Sequence, residues 1–162
     1  MVHKSDLNGG AVSRATPAQA LAAAEAMLPV ARSFLVESMI DDGVAELIVG
    51  VGLDPQFGHF VTIGAGGVIT ELLGDSVTLL PPFDVLEITR ALQRLRVHRL
   101  LSGWRGKPAG DIEAVADVVM RIAALAAALG DTLLELDINP LIVRPAGRGA
   151  VAADTLITLE EE

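Results

Sequence analysis

From Val44 to Leu80 the sequence is a run of short apolar segments of β type, and helical spacing does not return until Asp84. Leu47-Ile48-Val49-Gly50-Val51 is nearly continuous. Phe57 to Ala65 follows the Asp54-Pro55 connection, Val68 to Leu73 is β-rich, and Val77 to Leu80 ends at Pro81-Pro82. Two helices follow. Val85, Ile88, Leu92 and Leu95 recur at helical spacing behind Asp84, and Asp111 caps a clearer stripe of Ile112, Val115, Val119, Ile122, Leu125 and Leu129 that stops at Gly130. The chain then returns to strands at Leu133 to Ile138 and Ala150 to Leu159, joined by the turn 145–149. Upstream, Ala11 to Ala15 reads as a short strand. Thr16-Pro17 starts a helix running to about Met27-Leu28, and Phe34 to Ile40 reads as a strand closed by Asp41-Asp42-Gly43. The pattern is α+β, or mixed α/β.

Only five of the 162 residues are aromatic while 51% are hydrophobic, so the core must be aliphatic. That hydrophobicity excludes wholesale disorder. The longest apolar stretch, Val118 to Leu129, is interrupted by Arg121 and falls far short of the ~20 residues a membrane span needs. A net charge of −9 makes nucleic acid and anionic membrane poor partners. With no Cys there is no disulfide, thiolate metal site or catalytic thiol. The N-terminal residues lack the apolar core of a signal peptide, and the expected location is the cytoplasm.

Leu133-Leu134-Glu135-Leu136-Asp137-Ile138-Asn139-Pro140 carries the most chemistry. As a strand it points Leu134, Leu136 and Ile138 to a core and Glu135, Asp137 and Asn139 to the other face, about 7 Å between successive side chains. A row of oxygen donors without His or Cys suits Mg²⁺, above all one shared with phosphate. Asp154, on the next strand, could join it through a hairpin. The same pattern also fits an ordinary half-exposed strand, polar on its wet side. Gly64-Ala65-Gly66-Gly67 breaks the dinucleotide fingerprint and leads into a β-like segment, so it is a tight turn or a backbone cradle for phosphate. No P-loop occurs. His3-Lys4 and Trp104-Arg105-Gly106-Lys107 are compact basic groups, each readable as anion-binding or simply as solvated chain.

In order and spacing, His3-Lys4-Ser5-Asp6, Glu46-Leu47-Ile48-Val49-Gly50-Val51, Asp54-Pro55-Gln56-Phe57-Gly58, Gly64 to Gly67, Trp104 to Pro108, Glu135 to Leu141 and Ala153-Asp154 resemble one family. It is the ATP-grasp domain of the NDP-forming (ADP-forming) acyl-CoA synthetases, related to the beta chain of succinyl-CoA synthetase. The resemblance implies two α+β lobes around ATP. Residues 1–40 would be a remnant of the N-terminal lobe with the hinge strand, and residues 41–162 the C-terminal lobe. Val36, Glu37 and Met39 of the hinge, Glu46, and Gly64, Gly66 and Gly67 would lie against the nucleotide. Asp137, Asn139 and Asp154 would hold Mg²⁺, and His3, Lys4 and Arg105 would serve phosphoryl transfer.

The implied reaction interconverts acyl-CoA, ADP and phosphate with carboxylate, CoA and ATP, and needs a separate CoA-binding or CoA-ligase region. A homo-oligomer is expected. Against the family pattern, the domain starts some tens of residues late, which implies an incomplete N-terminal lobe, and Leu53 and Ser102 stand where basic residues are common. The alternative is a non-catalytic nucleotide-binding or subunit-association module derived from the same domain.

Overall fold

The computed structural model describes residues 16–66 and 74–160. The expected strands at Ala11–Ala15 and Val68–Leu73 lie outside them. The chain divides into two compact units, Met1–Asp41 and Asp42–Glu162.

In the first unit, helix α1 spans Pro17–Met27. Thr16 caps it, its hydroxyl accepting from the Gln19 N–H at 3.3 Å, and Pro17 opens the first turn as expected. None of its residues is buried. Residues 31–43 contain no strand, which corrects the reading of Phe34–Ile40. β-branched and aromatic side chains favour a pleated surface, but a strand exists only as a member of a ladder, and no described strand pairs with this segment.

The second unit is an antiparallel sheet with helices on one face. Strands β1 (Ala45–Asp54), β2 (Gly58–Ala65), β3 (Ser76–Leu79), β4 (Leu133–Val143) and β5 (Ala150–Ala152) lie in the order β3-β2-β1-β4-β5. Strand β6 (Thr155–Leu159) pairs with the first half of β4, and β5 with the second. The β1–β2 hairpin is set by Asp54, whose carboxylate accepts from the Gln56 and Phe57 N–H groups at 2.8 and 3.0 Å, and by Gly58 at φ 73°.

Helices α2 (Val85–Arg94), α3 (His98–Leu101) and α4 (Ile112–Leu129) follow β3. Asp84 and Glu87 form a reciprocal capping box on α2. The short α3 covers residues to which the sequence pattern assigns no element. Asp111 caps α4 by accepting from the Ala114 N–H at 3.1 Å, and it also accepts from the Gly149 N–H at 2.8 Å. One carboxylate thereby ties the helix start to the β4–β5 turn.

The core is aliphatic, as the composition requires. Leu47, Val49, Val51, Val61, Ile63, Leu136, Ile138, Leu141 and Val143 of the sheet pack with Ile88, Leu92, Val115, Val119 and Ile122 of the helices. Among the described residues no polar or charged side chain is buried. The opposite face of the sheet carries Glu46, Ile48, Gly50, Thr62, Thr78, Glu135 and Asp137 and is covered by no described helix of this unit. The fold therefore presents one open sheet face.

Candidate functional site on the open sheet face

Strand β4 does not alternate cleanly. Its register slips between Leu133 and Glu135 against β6, and between Ile138 and Leu141 against β1. The first slip turns Leu134 outward to 40% exposure and puts Leu133 in the core, correcting the expected inward Leu134. The second places Asn139 and Pro140 opposite the single residue Ile48. Glu135 and Asp137 keep the open face between the two slips.

The same stretch of β1 is lined with glycine. Gly50 pairs with Asp137 and Gly52 with Glu135. A Cβ on Gly50 would sit 3.6 Å from Asp137 Oδ1, while one on Gly52 would sit 2.5 Å from the Phe60 ring. Glycine at 52 lets the Phe60 ring lie over β1, whereas a Cβ at 50 would meet the Asp137 carboxylate only at ordinary contact distance. The result is an open concavity of about 410 Å³ lined by Gly50, Gly52, Phe60, Thr62, Glu135 and Asp137, among others.

Asp154 reaches this region by a route the sequence showed only in part. It lies on neither strand, because Ala150–Leu159 is broken at residues 153–154 into β5 and β6. The break crosses the Asn139-Pro140 irregularity: Asn139 N–H donates to the Asp154 carbonyl at 3.1 Å, and Ala153 N–H donates to the Pro140 carbonyl at 3.0 Å. Asp154 Oδ1 accepts from the Thr155 N–H at 2.9 Å. Burial pushes the Asp137 carboxyl above the ordinary carboxylate value, and the charges of Glu135 and Asp154 push it further the same way. Asp154 thus lies near enough for its charge to act on Asp137, its backbone is bonded to that of Asn139, and no described Lys, Arg or His forms an ion pair with either aspartate.

No three His, Cys, Asp or Glu side chains among the described residues form a metal cage by themselves. The donors are all oxygen, however. Mg²⁺ is commonly held by one or two carboxylates while substrate phosphates complete its shell, so the set fits that ion.

Glu46 shares the open face and lies four residues from Gly50 along β1, roughly 13 Å away. Its carbonyl accepts from the Gly66 N–H at 2.7 Å. A Cβ on Gly66 would fall within 2.9–3.0 Å of the Glu46 and Leu47 backbone, and one on Gly64 would meet the Asp75 carbonyl at 3.2 Å. Close backbone approach thus explains both glycines, and the Gly66 N–H is already engaged.

Val36, Glu37 and Met39 are exposed residues of the first unit, outside any regular element. His3, Lys4 and Gly67 lie outside the described residues. Arg105 is an exposed loop residue at φ 51° with its guanidinium 5.6 Å from the Trp104 ring centroid. It makes no ion pair among the described residues. Sequence reasoning gave no role to Gly50 and Gly52; two glycines at alternate positions of one apolar strand were the available signal.

The sequence matches the ATP-grasp domain over residues 1–159. The chain belongs to that family. A trans-feruloyl-CoA synthase from an unknown prokaryotic organism is 39% identical over 78% of this chain and 18% of its own length. The beta subunit of an ADP-forming acetate–CoA ligase from Pyrococcus furiosus is 35% identical over 78% of this chain and 53% of its own length. An ADP-forming acetate–CoA ligase from Archaeoglobus fulgidus is 35% identical over the whole chain and 24% of its own length. The chain thus spans about half or less of these relatives.

Among solved structures, a dinucleotide-forming acetyl-coenzyme A synthetase from Ca. Korarchaeum cryptofilum, in complex with coenzyme A and Mg-AMPPCP, superposes with a TM-score of 0.85 at 32% identity. The match covers 98% of this chain and 71% of that one. The fold is an ATP-grasp fold covering part of the domain. No described helix is long and apolar enough to cross a membrane.

Proposed function

We propose that this ATP-grasp chain is the nucleotide-holding part of an NDP-forming acyl-CoA synthetase. The observation that carries the reading is the unbalanced oxygen cluster of the open face: Asp137, repelled by Glu135 and Asp154, beside an Asn139 that is bonded to residue 154. Support comes from the likeness to a synthetase solved with a magnesium nucleotide.

On this reading Asp137, Asn139 and Asp154 would hold Mg²⁺, which would supply positive charge against that of the nucleotide phosphates. The Asn139–Asp154 backbone bond fixes the spacing of the donors. Gly50 leaves the Asp137 carboxylate uncovered on one side. On the resemblance alone, Glu46, Gly64, Gly66 and Gly67 are assigned to the nucleotide, and so, separately, are Val36, Glu37 and Met39 of the first unit. His3, Lys4 and Arg105 enter on the resemblance alone, as groups serving phosphoryl transfer.

A further polypeptide region supplies CoA binding and the ligase step, and the acyl group is recognised there. Cytoplasmic location and homo-oligomerisation belong to the same proposal. The test is nucleotide binding in Asn139→Ala and Asp154→Asn. Each should weaken Mg²⁺-dependent ADP binding at least tenfold while melting like the parent; unchanged affinity in both would refute the site.

A further inference from the structure

Charge is distributed very unevenly along the chain. Six of the twelve Lys and Arg residues lie between positions 90 and 107: Arg90, Arg94, Arg96, Arg99, Arg105 and Lys107. No acidic residue occurs between Glu87 and Asp111. The rest of the chain holds six cations against 21 acidic residues, a balance of −15 where the whole is −9. All six cations are exposed, and among the described residues none makes an ion pair.

Two carboxylates next to this segment are engaged by backbone N–H groups. Asp75 accepts from the Arg96 and Val97 backbone N–H groups at 2.8 and 3.0 Å, and the Glu87 side chain accepts from the Asp84 N–H at 3.0 Å. Arg90 and Arg94 stand one turn apart on α2, a like-charge spacing that costs an isolated helix a few tenths of a kcal/mol. At the other end the Arg99 guanidinium lies 3.6 Å from the Trp104 ring centroid, with that of Arg105 at 5.6 Å. Stacking on indole holds these cations in place without neutralising them.

We infer that the surface formed by α2, α3 and the Trp104 loop docks an acidic face of a partner polypeptide. Its extent decides against a small phosphate ligand. Helix α2 alone is about 15 Å long, and the six cations are distributed over α2, the residues after it, α3 and the Trp104 loop, with only Arg99 and Arg105 sharing the Trp104 ring. The strongly negative remainder of the chain decides against nucleic acid, whose phosphates it would repel along most of their length. Arg and Trp are the residue types that dominate protein–protein hot spots, and side chains already ordered by stacking lose less entropy on docking. Arg105 is the one cation shared with the proposed phosphoryl-transfer set, and the inference rests on the other five.

Trp104 is the chain's single Trp, so its fluorescence reports on the patch directly. The full chain is titrated with a deca-glutamate peptide, and in parallel with deca-lysine, inorganic pyrophosphate and a short DNA duplex, at 50 and 300 mM NaCl. Deca-glutamate alone should give a saturable change, at least tenfold weaker at the higher salt and at least tenfold weaker in R94E/R99E. Should that variant melt below the parent, R90A/R94A, which leaves the Trp104 stack intact, should still weaken binding about threefold. Four outcomes overturn the inference: no response to deca-glutamate, an equal response in both variants, an equal or stronger response to pyrophosphate or DNA, or self-association that R94E/R99E abolishes.

Discussion

Asp137 and Asp111 show how the same side chain serves opposite ends. Asp111 receives N–H groups from Gly149 and Ala114, and the Gly149 bond is the main cause holding its carboxyl below the ordinary value against the opposing effect of burial. A depressed carboxylate contributes stability that is complete above the unfolded value near 3.8 and is lost as pH falls through the folded one. Asp42 behaves alike, chiefly through its hydrogen bond to the Arg144 guanidinium. Thermal melts should therefore fall as pH drops below the ordinary carboxylate value of 3.8. Asp111→Ala should cost about 1–2 kcal/mol at pH 7 by removing both bonds and should flatten the acid limb.

Asp137 has the reverse sign. Its carboxyl is raised, so ionising it costs the folded chain free energy as pH rises through and above the ordinary value. Asp137→Asn should raise the metal-free Tm by about 2–4 °C while weakening Mg²⁺-dependent nucleotide binding. Calorimetry with and without Mg²⁺ reads both effects, and a fall in Tm would contradict them.

Among the elements, β4 is the one whose detail decides the site. Its identity as a strand was legible from period-two alternation, but its two irregularities were not. A bulge leaves no mark in hydrophobicity beyond one misplaced residue, here the outward Leu134. The split of Ala150–Leu159 was hidden for a similar reason, since Ala153-Asp154 is a short polar interruption that a strand can carry on its wet side. Capped helices were legible because their signal is local: Thr16, Asp84 and Asp111 each bond to the first turn they precede. Phe34–Ile40 was misread because its strand character resides in a partner, which local sequence cannot supply.

Two glycines of the second unit differ in why they resist a side chain. Gly66→Ala would force a Cβ to within 2.9–3.0 Å of the Glu46 backbone, where no flexible side chain can yield. It should cost about 1–3 kcal/mol in denaturant melts. Gly147→Ala, with no atom in the way but φ 78°, should cost about 1 kcal/mol, through backbone strain alone. Equal, negligible losses in both would show the Glu46–Gly66 approach to be looser than described.

In the second unit, a helix-covered aliphatic core lies on one side of the sheet and a half-polar open face on the other. That division was foreshadowed by aliphatic composition and strand pattern, whereas the convergence of Asp154 on Asn139 required the long connection from β4 back to β6. The open face carries negative charge and the helix side carries the 90–107 cations, so the two surfaces suit different partners. The relatives range from about one and a half to more than four times the length of this chain.

The most direct measurement is calorimetric titration of the full chain with ATP and ADP, each with and without Mg²⁺. The proposed Mg²⁺-nucleotide site predicts saturable binding with Kd in the micromolar range that weakens at least tenfold when Mg²⁺ is withheld. Absence of binding at millimolar nucleotide, or affinity indifferent to Mg²⁺, would contradict it.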